Sequence, residues 1–386
     1  MRLTVTALCA LPALVLLALS IKRKSPGQLL YGLVREAEKG LRRMNVRIPG
    51  LERRLEENNP KRVFHSPFLR LRGDVRHLPT LLNLPTSEGS GEAAHPDVLH
   101  VPGGWGKGGW TWLMAATPYP MGTDYFENPE FYVSRDGLRW QVPEGLRNPL
   151  ARVPVEPSRR EIRREFHSDP SLLLHEGLLH LYYRWTAVLN TGETENRILL
   201  TTSPDGVVWS PPEAVLSERL PTGSDRKFLS PSALVLDGTR VLWTVDYEAG
   251  ERFIVRRTSP DGLHWSAPVR TEIAAPFPLK APWHLDVSGG SGRLRLLLTA
   301  ARDRGVDAEL LWGWSGDGGL SWNVEGKPFE PGYFFEKKRI YRSSIVPMED
   351  GTERLYYSAM AGDGTWHVAA LDLDAPPTYK TGTEGN

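Results

Sequence analysis

Residues 134–140 read SRDGLRW, and the pattern returns as SPDGVVW at 203–209, as SPDGLHW at 259–265 and, one residue longer, as SGDGGLSW at 315–322. Each copy places an aspartate and a glycine where a tight turn joins two strands, because Asp accepts backbone N–H bonds and Gly tolerates positive φ. The tryptophan that ends each copy is predicted to fill the space beneath the turn. Four copies indicate an internal repeat whose residues are structural.

A second repeated element lies upstream of each turn: an apolar strand that begins with a small polar signature. It occurs five times, as HPDVL at 95–99, DPSLL at 169–173, SPSAL at 230–234, HLDVS at 284–288 and RSSIV at 342–346. Aromatic or apolar strands follow, and a third strand enters the turn that a fourth strand leaves, which makes a four-stranded antiparallel blade. Five blades of about 56 residues each fall in the length range of propeller repeats.

The sequence therefore predicts an all-β fold, a five-bladed β-propeller of four-stranded antiparallel blades, preceded by an N-terminal apolar segment and a basic amphipathic helix. Composition agrees, since 37 Gly and 32 Pro accompany 13 Trp, 12 Tyr and 11 Phe, a mixture of turn formers and strand formers. The predicted boundaries are a signal peptide or membrane anchor at 1–20, a basic helical arm and linker at 21–90, the propeller at 91–376 and a flexible C-terminal tail at 377–386.

The first twenty residues are almost wholly apolar and end in small residues, which favours a cleaved secretion signal. The run is also long enough to cross a bilayer, so an uncleaved anchor is the alternative. Either segment predicts a protein that is secreted or held at the cell surface. Residues 21–70 carry 13 Lys and Arg against 5 Asp and Glu, and their predicted helix would suit either an anionic membrane surface or the acidic body. Basic residues without interleaved stacking aromatics argue against a nucleic-acid partner.

The only cysteine, Cys9, lies in the apolar N-terminal stretch. The predicted propeller therefore contains no thiol for a disulfide, a zinc–thiolate site or a cysteine nucleophile.

The segment HSDPSLL at 167–173, followed by LYY at 181–183, resembles the Asp-Pro strand and aromatic partner strand of the five-bladed arabinanase and xylosidase glycosidases and of the invertase and levansucrase group. The four turns are similar to the Asp-box of sialidases. The resemblance implies a propeller that acts on an oligosaccharide or polysaccharide, and it implies a structural role for the turn aspartates.

Alternate residues of a strand share a face, and the inner strand of each blade lines the central channel. Aligning the five signatures predicts two rings of channel residues. The first ring contains His95, Asp169, Ser230, His284 and Arg342, and the second contains Asp97, Ser171, Ser232, Asp286 and Ser344. The alternative to a functional cluster is that Asp97 and Asp169 cap backbone groups at the channel.

Glycosidases need one carboxyl group to protonate the leaving oxygen and another to attack or to activate water. By resemblance, Asp97 matches the base or nucleophile and Asp169 the aspartate that orients the sugar. The family's proton-donating glutamate has no clear counterpart, because the middle blade offers only Asp246 and Glu248 without the surrounding motif. The substitutes are Glu127, Glu165 and Asp286, and no spacing rule selects among them.

Sugar-binding roles are predicted for His95, His284 and Arg342 in the channel, and for Trp105, Trp110 and Trp112 as flat faces for sugar rings. No cofactor is predicted. A metal held by His95 and His284 with Asp97 or Asp286 is the alternative, but neither histidine lies in a recognised ligand spacing, so no metal ligand set is predicted; a structural calcium ion in the channel would be compatible with the ring. The leading hypothesis is an exported glycoside hydrolase-like propeller that binds sugar at the channel mouth. The alternatives are a non-catalytic lectin-like propeller and a surface or virion interaction module; the oligomeric state is not predicted.

Overall fold

A computed structural model describes residues 78–154, 159–222, 227–290, 292–302 and 307–373. It forms an all-β propeller of five blades, which confirms the predicted fold class. The predicted N-terminal apolar segment, basic helix and C-terminal tail lie outside the described residues. Within the described part, no helix combines the length and the apolar character needed to span a bilayer.

Each blade is one sheet, and its three innermost strands follow one another along the chain. Blade I contains β2 (Ala93–Trp105), β3 (Trp110–Pro118) and β4 (Glu130–Ser134); blade II contains β5 (Ile162–His175), β6 (Leu178–Leu189), β7 (Thr194–Ser203) and β8 (Glu213–Leu220). Blade III contains β9 (Leu229–Leu236), β10 (Thr239–Glu248), β11 (Glu251–Ser259) and β12 (Val269–Arg270); blade IV contains β13 (Glu272–Ala274), β14 (Pro282–Gly290), β15 (Arg293–Ala300), β16 (Glu309–Ser315) and β17 (Ser321–Gly326). Blade V contains β18 (Arg339–Pro347), β19 (Glu353–Met360), β20 (Trp366–Leu373) and β1 (Thr80–Leu81). Three short 3-10 turns cover Pro120–Gly122, Asp124–Phe126 and Phe334–Glu336.

Two blades depart from the four-strand plan. Blade I has three strands plus an isolated bridge between Val133 and Gln141, and blade IV gains β13, which runs parallel to β17. Blade V takes its outer strand from β1, whose Thr80 pairs with Ala370. The first described strand thus closes the ring against the last, although the sequence analysis had placed residues 21–90 in the arm and linker.

The repeated turns adopt the predicted geometry. In the first copy the amides of Leu138 and Arg139 donate to Asp136 Oδ1 at 2.9 and 2.8 Å, and Gly137 N donates to Ser134 Oγ at 3.0 Å. Trp140 Nε1 donates to the Gly137 carbonyl at 3.2 Å, and Gly137 has φ +71°. The turn is therefore closed by its own side chains, as expected of a structural element. The kinship of these turns to sialidase boxes stays a prediction.

The hydrophobic core is divided into layers between neighbouring blades. One layer joins Trp243 of blade III to Leu296 and Trp322 of blade IV, and the other four blade pairs are packed in the same way. Because each sheet buries both faces against its neighbours, only the inner strand edges face the axis. That axis is where polar side chains accumulate.

Candidate functional site

The second ring forms a closed belt of hydrogen bonds around the axis. In every blade the ring-two side chain accepts the backbone N–H that follows the ring-two residue of the next blade. The five bonds are Leu172 N to Asp97 Oδ1 at 3.0 Å, Ala233 N to Ser171 Oγ at 3.1 Å, Val287 N to Ser232 Oγ at 2.9 Å, Ile345 N to Asp286 Oδ2 at 3.1 Å and Val98 N to Ser344 Oγ at 3.1 Å. The belt satisfies five buried amides and ties all five blades together.

Asp97 and Asp286, both predicted as catalytic, are members of this belt. Burial raises the pKa of Asp97 from 3.8 to about 7; Asp286 adds to the rise and Arg342 opposes it. Burial likewise raises the pKa of Asp286. Both carboxyl groups line a cavity of about 430 Å³ together with residues that follow them along the inner strands, such as Leu99 and Val287. Their contacts match the alternative in which channel aspartates cap backbone groups.

The first ring lies at the start of the same strands and is irregular. Each inner strand loses register with its neighbour at this point, a β-bulge repeated five times. His95, Asp169 and Ser230 have φ values of +55°, +53° and +50°. Left-handed conformations in residues other than glycine cost of order 1–3 kcal/mol and are concentrated at functional sites. The bulges re-aim these side chains into the channel.

Three ring-one side chains converge on one point. Asp169 Oδ1 lies 3.6 Å from His95 Nε2 and 3.1 Å from His284 Nδ1, and the three side chains are buried. Despite this proximity, neither Asp169 Oδ1 nor His284 Nδ1 has a hydrogen-bond partner of suitable geometry in the described part of the chain. Donors that share one zinc ion at about 2.0–2.1 Å lie about 3.3 Å apart in tetrahedral geometry. The two spacings to Asp169 Oδ1 therefore fit a shared cation, and all three donor atoms lie within 4.8 Å of one another.

The tautomer of His95 supports the same reading. Thr117 Oγ1 lies 2.9 Å from His95 Nδ1 and 3.4 Å from the Ala94 carbonyl; if its hydrogen goes to that carbonyl, His95 Nδ1 is the donor to Thr117 and Nε2 carries no proton. Burial lowers the pKa of His95 to about 3, which favours the neutral imidazole that a metal ligand requires. The pKa of Asp169, which burial alone would raise, is held well below its usual range by His95, His284 and Arg342. In the tautomer with an unprotonated Nε2, a cation between His95 and Asp169 would bind both groups.

Other side chains enclose the triad. Glu127 Oε1 lies 3.5 Å from His95 Nδ1, and the Tyr341 ring lies 4.3 Å from the His284 ring and 5.4 Å from the His95 ring. Trp283 Nε1 donates to the Tyr341 hydroxyl at 2.9 Å. The Tyr119 ring lies 6.1 Å from the His95 ring. The triad is thus surrounded by one further carboxylate and by aromatic side chains.

The remaining predicted residues lie elsewhere. Arg342 is buried beneath the triad and bonds to backbone carbonyls. Trp105 and Trp112 are buried, and Trp110 is stacked against Arg135, whose guanidinium carbon lies 4.6 Å from the Trp110 ring. Trp105 and Trp110 lie at the far end of the β2–β3 hairpin, on the order of 30 Å along the strand from His95, and Trp112, which pairs with His100, lies about 17 Å along it. The structure does not bring these tryptophans to the triad.

The substitutes for the missing glutamate are also accounted for. Glu165 accepts a hydrogen bond from Trp185 Nε1 at 3.1 Å. Asp246 accepts the Phe228 amide at 3.0 Å and lies 3.4 Å from Arg257 Nη2, whereas Glu248 is exposed on its hairpin. Among these candidates the structure brings Glu127, and not Glu165 or Asp246, into contact with the first ring.

Sequence reasoning predicted no metal ligands, and it did not single out Thr117 or Tyr341 as partners of the ring. His95, Asp169 and His284 are far apart in the chain, so no local ligand spacing exists. The available signals were the repeat alignment, which groups the three residues, and the β2–β3 hairpin, whose register pairs Ala94 with Thr117.

No family model matches the chain. The chain is 28% identical over 323 residues to the A type blood N-acetyl-alpha-D-galactosamine deacetylase of Flavonifractor plautii, in a match that covers 70% of this chain and 40% of that protein. The chain therefore spans less than half the length of this relative.

Solved structures show the same fold. An N-acetylgalactosamine deacetylase from F. plautii, in complex with blood group B trisaccharide, superposes with a TM-score of 0.63 at 22% identity, covering 77% of this chain and 94% of that chain. The GH43_1 enzyme from Xanthomonas citri, in complex with xylotriose, gives a TM-score of 0.51 at 11% identity over 77% and 90% of the two chains. The structural neighbours of this propeller thus include family 43 glycosidases, as the sequence resemblance to arabinanases and xylosidases implied.

Proposed function

We propose that this chain is a carbohydrate-active hydrolase that removes the acetyl group from an N-acetylated sugar, with a divalent cation held by His95, Asp169 and His284. The observation that carries the proposal is the convergence of three buried donor groups, with Asp169 Oδ1 lying 3.6 Å from His95 Nε2 and 3.1 Å from His284 Nδ1. Two imidazoles and one carboxylate are a donor set of hydrolytic metal sites. The F. plautii relative, a deacetylase of an N-acetylated sugar by name, supports the choice of substrate.

The geometry is less favourable for glycoside hydrolysis, the reaction that the resemblance first implied. That reaction needs two carboxyl groups on either side of the scissile bond. Asp97 and Asp286 hold belt amides, and the carboxylates nearest the first ring, Glu127 and Asp169, lie on opposite sides of the His95 ring. The imidazole therefore fills the space where a sugar ring would have to lie.

The proposed reaction is hydrolysis of an amide. A bound divalent cation polarises the carbonyl and lowers the pKa of a coordinated water. We assign the proton transfer to Glu127, which takes a proton from water as its oxygen bonds to the carbonyl carbon and delivers that proton to the nitrogen as the C–N bond breaks. The products are acetate and an amino sugar. Tyr341, whose pKa is raised well above its usual value by burial, stays protonated and donates to the carbonyl oxygen.

The test is acetate release by metal-depleted chain, before and after addition of Zn²⁺, Mn²⁺ or Co²⁺, from oligosaccharides ending in N-acetylgalactosamine or N-acetylglucosamine. We expect metal-dependent acetate release by wild type and none by His284→Ala. His264→Ala is the matched control, because His264 is an exposed histidine bonded to Asp261 in a repeat turn. Release of free sugar instead of acetate would favour the glycosidase, and sugar binding without either product would favour the lectin-like alternative.

We also propose that the protein acts outside the cell that makes it, as the apolar first twenty residues suggest. Intact-mass measurement on material exported by its host distinguishes a cleaved signal from a retained anchor. A full-length chain that stays in the cytoplasm would contradict the proposal.

A further inference from the structure

Arg342 occupies the axis between the two rings and is fully buried. Its Nη1 donates to the Pro170 carbonyl of blade II at 2.7 Å and its Nη2 to the Pro231 carbonyl of blade III at 2.9 Å. Nη2 also lies 3.4 Å from Asp97 Oδ2 of blade I. One guanidinium from blade V therefore connects four of the five blades.

The two carbonyls belong to the residues that directly follow Asp169 and Ser230. Both of those residues have positive φ, and both prolines lie inside bulges where the sheet register is lost. A carbonyl in a bulge has no partner in the strand ladder, so it needs another donor. Arg342 supplies that donor at both bulges. The strained conformation of Asp169 is thus fixed through the next residue in the chain.

The fork of the guanidinium suits this task better than a point charge does. Arg presents several N–H groups in a rigid plane and loses little freedom on binding two acceptors, whereas Lys offers a compact ammonium on a flexible stem. A lysine at this position would keep the positive charge between Asp169 and Asp97, but it would not hydrogen-bond the Pro170 and Pro231 carbonyls at the same time. Charge and positioning can therefore be separated by one substitution.

We propose that Arg342 is a positioning residue that holds the Asp169 carboxylate in cation-binding geometry through the Pro170 carbonyl. The inference rests on the proposed function, because it assigns a task to the cation site formed by Asp169 and the two histidines. It replaces the sequence-based expectation that Arg342 binds the sugar. Residues that orient a metal ligand change metal affinity by about 10- to 100-fold when they are removed.

The experiment compares Arg342→Lys with Arg257→Lys in the otherwise intact chain, with Co²⁺ alone as the probe. Arg257 is also a buried arginine, and it bonds Thr244 and Asp246 in blade III without contacting the triad. We expect both variants to lower the melting temperature. Only Arg342→Lys should weaken Co²⁺ binding by about 10- to 100-fold in calorimetry and change the visible absorption bands of bound Co²⁺, which report ligand geometry.

Wild-type Co²⁺ affinity and an unchanged Co²⁺ spectrum in Arg342→Lys would overturn the inference and leave the proposed function standing. Equal weakening by Arg257→Lys would overturn it as well, since the effect would then follow from lost stability. A wild-type chain that binds no Co²⁺ would remove the proposed function and this inference together. Should Arg342→Lys fail to fold, Arg342→Gln, whose shorter side chain gives up the contacts made by Nη1 and Nη2, serves as the variant, with the same expected loss of affinity.

Discussion

The two rings of channel residues are two positions apart on the same five strands and differ in almost every physical respect. Ring two is regular: five acceptors hold five amides, each across one blade boundary. Ring one is irregular, with bulged strands, three left-handed residues and buried ligand atoms that lack partners of suitable geometry in the described chain. Ring two holds the blades together, and the proposed cation site lies in ring one, two residues earlier on the same strands.

The difference between the rings explains why Asp97 and Asp169, two buried aspartates, are not equal candidates for a functional role. Asp97 in ring two is satisfied by the Leu172 amide and by Arg342, so a catalytic role would require breaking the belt. Asp169 in ring one accepts the Ser168 hydroxyl at 2.9 Å through Oδ2 and turns Oδ1 toward two imidazoles. The unsatisfied atom, and not the residue type, distinguishes the carboxylate that we propose as a cation ligand.

The largest effect is expected for Asp169→Asn, which removes the charge and leaves the size of the side chain unchanged. Because the cation would lose its only carboxylate ligand in the triad, we expect acetate release to fall by more than about 1,000-fold and Co²⁺ binding to disappear. Kinetics and calorimetry on the same preparation measure both. Activity close to wild type would contradict the assignment of the cation site to ring one.

A change in the belt should affect stability and leave chemistry intact. Ser344→Ala leaves the Val98 amide without its acceptor, at a cost of about 1–3 kcal/mol in the free energy of unfolding. Denaturant titration measures this cost, and acetate release at 25 °C should be unchanged. Ser288→Ala is the control, because Ser288 Oγ is buried without a partner among the described residues. Equal destabilisation by the two variants would show that the belt has no special role.

The belt carboxylates also predict a dependence on pH. The pKa of Asp97 is 3.8 when unfolded and about 7 when folded, so the unfolded chain loses this proton first and stability falls as pH rises through that window. Asp286→Asn removes one charge of the pair and relieves the repulsion that raises the pKa of Asp97. We expect the fall in melting temperature between pH 4 and pH 7 to become smaller in metal-free chain. An unaltered pH profile would contradict the assignment.

The smallest effect is expected at Trp110, which the sequence marked as a sugar platform. Its ring is covered by Arg135 at the tip of the β2–β3 hairpin, far along the strand from His95. Trp110→Ala should leave kcat and KM for the acetylated sugar unchanged. A marked rise in KM would indicate instead that the sugar binds near Trp110, at the opposite end of the channel from His95.

The repeat made the fold predictable. Turns with Asp, Gly and Trp at fixed spacing encode their own hydrogen bonds, as the Asp136 turn illustrates, and five strand signatures fix the blade number. The alignment also grouped His95, Asp169 and His284 correctly, since alternate residues of inner strands must face the axis. What it missed was the closing strand at Thr80–Leu81, because two residues carry no periodic signal.

The sequence by itself therefore determined the turn residues, the alternation along the strands and the polar positions that face the channel. Only the tertiary structure decided that ring two bonds backbone amides and that ring one brings a carboxylate and two histidines together. Whether a buried carboxylate caps an amide, as Asp97 does, or faces two imidazoles, as Asp169 does, depends on bulges and on atoms from other blades. Hydrogen-bond geometry across blade boundaries has no counterpart in linear spacing, because its partners are brought together only when the ring closes.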